Sequence, residues 1–170
     1  PRNFSLAKQN LHNAGLDDVE LIEKAVGIGD GQAEFYRAVN MSMGGSLSTR
    51  MKNRKDGVEE ITVNMCRLKD YVRDEKIDFL KLDVEGIEDR VIADCTDCIA
   101  NVNYLFIEFH VGNDLPMSRM LTILNVLEDN GFDYNVTQSD SYVELNRRRP
   151  LVKVRNNVTH LIYAKNKEWK

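Results

Sequence analysis

Lys81, Asp83 and Glu85 occupy alternate positions in KIDFLKLDVEGIEDRVI (residues 76–92), where an apolar run gives way to two acids and a glycine. Side chains two apart along a strand share a face, so these three are expected to converge on one small volume. Glu108 and His110 repeat the spacing at the end of YLFIEFH. Histidine titrates near neutrality and is the natural general base among these side chains. His110 is therefore the first catalytic candidate, with Glu108 or Glu85 placed to orient it. Lys81 and Asp83 either form an ion pair that fixes the strand end, since a buried charge requires a partner, or face a cofactor or acceptor. Asp83, Glu85, Glu108 and His110 also form an oxygen-rich set that suits magnesium or manganese. No compact ligand motif accompanies them, so a divalent cation is not the favoured reading.

The elements that must position these residues follow from hydrophobic periodicity. NFSLAKQNLHNAG spaces Phe4, Ala7, Leu11 and Ala14 as a helix, with Gly15 as its stop. VELIEKAV (19–26) and QAEFYRAV (32–39) read as strands. Gly27, Gly29 and Gly31 between them imitate a dinucleotide fingerprint, but the phosphate-cradling form must open a helix. The alternation after Gly31 predicts a hairpin turn instead. Residues 40–57 show no periodicity, as in binding loops; Ser46 and Ser48 in that stretch could touch cofactor or acceptor. EITVNMC is a strand, RLKDYVRDE a short helix, and IDFLKLD (77–83) a strand apolar on both faces, as in the interior of a parallel sheet. Ile87, Val91, Cys95 and Ile99 form one helical stripe. VNYLFIEFH is the next buried strand, PMSRMLTILNVLEDNG a helix, and FDYNV with NVTHLIYAK a closing antiparallel pair.

This order predicts one α/β domain over residues 1–170, with a doubly wound sheet. Such sheets bind ligands beyond the carboxyl ends of their strands, where Lys81, Asp83, Glu85, Glu108 and His110 fall.

Composition narrows the partners. The net charge of −4 offers no basic footprint for nucleic acid, and no apolar run approaches the ~18 residues of a membrane span. Three cysteines fit a reducing compartment, and no signal-peptide pattern opens the chain, so the expected location is cytoplasmic. The Cys95-x-x-Cys98 pair lacks a second ligand pair for zinc and falls late in a helical pattern. Both are expected to be ordinary reduced thiols.

IDFLKLDVEG followed by a helix, then YLFIEFH, GF and HLIYAKN, resembles the FkbM family of S-adenosylmethionine-dependent methyltransferases. DDVELIEKAVGIGDGQAEFY and EITVNMCRLKDYV stand in the order that family shows. The resemblance implies a class I methyltransferase-like (Rossmann-like) fold, mostly parallel with an antiparallel C-terminal pair. It implies methyl transfer from S-adenosylmethionine to a hydroxyl of a sugar or other small-molecule acceptor. It places Ala25, Val26 and Gly27 near the adenine, Asp83 and Glu85 beside the reacting centre, and Glu108 and His110 along the same cleft. Lys81, Glu108 and Ser46 would face the acceptor. The family's opening strand with its glycine-rich loop, and a second strand ending in an acid, have no counterpart here. The domain is thus expected to be N-terminally incomplete, with unpaired edges where those strands would sit between residues 19–26 and 77–83, and the segment alone inactive. A noncatalytic interaction or assembly module of the same fold is the alternative.

Overall fold

The computed structural model describes residues 2–38, 47, 57–112, 115–138 and 158–169. Ser46 and Ser48 lie outside the described residues, as does most of the aperiodic stretch that carries them. Helix α1 (Arg2–Asn13) ends before Gly15, whose φ of 69° is the left-handed conformation glycine adopts freely. Strands β1 (Ala25–Gly27), β2 (Gly31–Ala38) and β3 (Val58–Arg67) make a first sheet in the order β1-β3-β2. After α2 (Lys69–Val72) come β4 (Ile77–Leu82), α3 (Glu88–Asp94), β5 (Val102–Val111), α4 (Met120–Asp129), β6 (Phe132–Gln138) and β7 (Val158–Asn166). Their strands form a second sheet, β4-β5-β7-β6. No helix among the described residues is long and apolar enough to cross a membrane.

Both sheets are mixed. β1 runs parallel to β3 and β4 parallel to β5, whereas β2–β3, β5–β7 and β6–β7 are antiparallel. The α/β class and the antiparallel β6–β7 pair match the sequence expectation; a single, mostly parallel sheet does not describe these strands. The expected hairpin between β1 and β2 is also replaced: β3 lies between them and pairs with both. The strand expected over 19–26 shrinks to Ala25–Gly27, because only Met65–Arg67 of β3 pairs with it, and an unpaired strand leaves its amides and carbonyls unsatisfied. Among the described strands, β1 and β4 both lie at sheet edges.

The second sheet carries the core. β5 alternates, and Leu105, Ile107 and Phe109 face inward, with Leu105 registered to Ala164 and Ile107 to Ile162 on β7. Helix α3 and the turn after it seal this face: Val91 and Ile92 of α3, Cys95 at its end and Ile99 beyond it are essentially inaccessible, joined by Ile123 and Leu127 of α4. Burying each large aliphatic side chain contributes about 1.5–3 kcal/mol. Among the described residues, part of the other face of the sheet is exposed. Phe79, expected inside, is 61% exposed, and Tyr104 and Tyr163 are exposed beside it. β4 is therefore not buried on both faces, because it lies at the sheet edge and helices α3 and α4 cover only one side.

Cys66, Cys95 and Cys98 are buried free thiols. Burial, chiefly, pushes the Cys95 thiol up to about 12, which matches inert thiols rather than a redox pair.

Candidate active site

The parallel register of β4 and β5 brings their carboxyl ends side by side, with Lys81 opposite Phe106 and Leu82 opposite Ile107. Lys81 projects from the partly exposed face. Its Nζ donates to Asp83 Oδ2 at 3.3 Å and lies 3.1 Å from Glu108 Oε1. The bond to Glu108, then that to Asp83, raises the ammonium above the usual lysine range against the opposing effect of burial. A Lys81–Asp83 ion pair is present as anticipated from sequence, but it is exposed instead of buried, and Glu108 extends it across two strands.

Glu85 reaches the same place by a different route from the one its spacing suggests. β4 ends at Leu82, so strand alternation does not govern Glu85. The backbone turns left-handed instead, with φ of 57° at Glu85 and 115° at Gly86. A non-glycine residue in this region is strained, and such strain is characteristic of functional sites. Glu85 Oε2 lies 3.6 Å from His110 Nε2.

His110, 9% exposed in its side chain, is held on its other nitrogen by a residue that the spacing did not single out. Glu88, in the first turn of α3, is 0% exposed. Its Oε1 accepts the Gly86 amide N–H at 2.7 Å and lies 2.8 Å from His110 Nδ1. Glu88 Oε2 is buried with no hydrogen-bond partner among the described residues. The turn is clamped from outside by Arg119, whose Nη2 donates to the Gly86 carbonyl at 2.8 Å and also to Asp89 Oδ1, while Nε donates to Asp89 Oδ2 at 3.1 Å. The guanidinium also stacks over Phe109, 5.7 Å from the ring centre. A sequence signal for Glu88 existed: it stands at i, i+3, i+4 and i+7 with Val91, Ile92 and Cys95, an acid on the apolar stripe.

Asp83, Glu108 and His110 offer ligand atoms within 4.8 Å of one another, a spacing that a divalent cation could draw together. Lys81 already supplies a positive charge to two of the three. The set as it stands is therefore an imidazole between two carboxylates, next to a lysine-bridged acid pair. That arrangement can take a proton from a hydroxyl and hold the resulting imidazolium.

A family model described as the methyltransferase FkbM domain matches residues 1–134. The chain belongs to the FkbM methyltransferase family. No curated protein and no solved structure matches it. The match ends before β7, so HLIYAKN lies outside it although this segment pairs with β5 along the site.

In this FkbM methyltransferase, Lys81, Asp83, Glu85, Glu108 and His110 are brought together at the β4 and β5 ends. Ala25, Val26 and Gly27 lie on β1 in the other sheet. Val26 packs on the main core, and a side chain at Gly27 would meet Met65 Sδ at 3.1 Å and Leu47 at 3.4 Å. These contacts explain a glycine there by close packing.

Proposed function

We propose that this FkbM methyltransferase transfers a methyl group from S-adenosylmethionine to a hydroxyl oxygen of a sugar or other small metabolite, with His110 as general base. One observation carries the reading: in a chain of this family, His110 lies between Glu85 and Glu88 at the adjoining carboxyl ends of β4 and β5. The donor supplies an electrophilic methyl carbon and a neutral sulfur leaving group. His110 Nε2 accepts the hydroxyl proton as the oxygen attacks, and Glu85 and Glu88 stabilise the imidazolium that forms. Asp83 borders the donor side, Lys81 and Glu108 the acceptor side, and Ala25–Gly27 face toward the adenine. Alignment supplies the rest of the acceleration, because in-line displacement depends on holding oxygen, carbon and sulfur collinear. The acidic balance favours a small-molecule partner over nucleic acid or membrane, and the buried free thiols fit the cytoplasm.

The test is labelled methyl transfer by the native protein to a panel of sugars and small hydroxylated metabolites, with donor affinity measured in parallel. His110→Gln is expected to lower the rate by about 10²–10⁴ and leave donor affinity unchanged. Transfer at the wild-type rate by this variant would remove His110 from the chemistry.

A noncatalytic module is the second reading. It is favoured by the described glycine cluster at 27–31, which runs into β2 rather than opening a helix. For the same reason these 170 residues are proposed to hold the donor weakly; micromolar affinity would count against that. A native protein that binds no donor would support the module.

A further inference from the structure

We propose that Glu88 is the positioning residue for His110: its buried carboxylate fixes the imidazole with the proton on Nδ1 and the lone pair on Nε2, facing the reaction site. The proposal rests on the reading of His110 as base, and deepens it.

Packing alone does not require an acid at position 88. The residue lies on the stripe of Val91, Ile92 and Cys95 and is completely inaccessible, a setting in which a carboxylate is disfavoured unless its bonds are made. Oε1 makes two. The Gly86 N–H can only donate, so Oε1 is an acceptor, and the same oxygen lies 2.8 Å from Nδ1. A carboxylate oxygen already accepting one proton takes a second from Nδ1–H, which leaves Nε2 unprotonated in the neutral ring. The two orienting residues expected from sequence have other positions: Glu108 is tied to Lys81, and Glu85 faces Nε2. Glu88 therefore has the arrangement by which a buried carboxylate holds an imidazole in one tautomer and stabilises its protonated form.

The DVEG turn belongs to the same device. Gly86 N–H donates to Glu88, and the Gly86 carbonyl is held by Arg119. The turn that presents Glu85 to Nε2 and the helix that presents Glu88 to Nδ1 are thus joined at one peptide. Among the described residues, charged groups near the ring include Glu85 from the turn, Glu108 from β5 itself, and Asp83 with Lys81 from the β4 end. On β7 the residue registered with His110 is Thr159, which does not titrate.

The test is NMR of the protein labelled with ¹⁵N-histidine, with His110 resonances assigned by their loss in His110→Gln. The expected result is the Nδ1–H tautomer in wild type. In Glu88→Gln the titration midpoint of His110 should fall by about one pH unit or more, since an adjacent anion is removed, and Glu88→Asp should restore part of that shift. An Nε2–H tautomer in wild type would overturn the proposal, as would a Glu88→Gln protein with unchanged tautomer and midpoint. Should Glu88→Gln fail to fold, the wild-type tautomer decides alone. No donor or acceptor enters the measurement, so a failure of His110→Gln to slow methyl transfer would leave this result standing, and the two readings fail separately.

Discussion

Replacing Glu85 by alanine and, separately, by glycine divides the role of its backbone from that of its carboxylate. At φ of 57°, a side chain costs roughly 1–2 kcal/mol because Cβ crowds the following carbonyl. Alanine keeps that strain. Glycine removes it but loses about 0.4–1 kcal/mol through the greater freedom of its unfolded chain. Both variants lose the 3.6 Å contact with His110, so this loss cancels in the comparison. Glu85→Gly should therefore be more stable than Glu85→Ala by about 1 kcal/mol, which for a chain of this size is about 2–4 °C in Tm. Urea unfolding at equal slope measures the difference directly. Both variants should lose methyl transfer to the same extent, because both lack the carboxylate beside Nε2. Greater stability of the alanine variant would refute the left-handed turn. An active glycine variant beside an inactive alanine one would show that the site needs the turn and not the acid.

Lys81→Met should expose a latent metal site, because Asp83, Glu108 and His110 then keep their spacing without the ammonium that bridges two of them; calorimetry with Mn²⁺ should show affinity gained by roughly tenfold, and an unchanged affinity would mean that Lys81 does not hold that place. In the native protein at pH 8, Cys95 should be silent to an aromatic disulfide reagent and react only after unfolding, since burial pushes its thiol up to about 12; rapid native labelling at Cys95 would contradict the packing. The Arg67 guanidinium, through hydrogen bonds to both Asp94 oxygens at 2.5 and 3.0 Å, holds that carboxyl below its ordinary 3.8. Its stabilisation is present above pH 3.8 and is lost as pH falls through the lower folded value. Asp94→Asn should cost on the order of 1 kcal/mol at neutral pH and flatten the acid limb of stability below about pH 4; an identical acid limb in the two proteins would refute the assignment.

Much of the fold was legible wherever one physical signal sufficed. β5 alternates because one face meets α3 and α4, and period-two patterning records that directly. The start of the α3 stripe was readable from its helical period, but the helix ends at Asp94, short of the Ile99 expected on it. β4 was misread because FLKL is apolar at positions on both faces, and composition cannot distinguish an interior strand from an edge strand with an uncovered aromatic. Residues 19–24 failed similarly: strand propensity says nothing about whether a partner strand is long enough to pair with them. The site divides along the same line. Glu108 and His110 were correctly placed by alternation, since both lie within β5. Glu85 was correctly associated with them on a premise that the structure replaces, because a left-handed turn, not a continued strand, delivers it. Glu88 was missed because strand periodicity stops at Leu82 and the next signal is helical. Only when the two periods are read together does an acid on an apolar helical stripe, three residues after an acid in a turn, mark both sides of one imidazole. A site assembled at a strand-to-helix junction is thus encoded in two registers, and the change of register between Leu82 and Glu88 is where a single-period reading loses it.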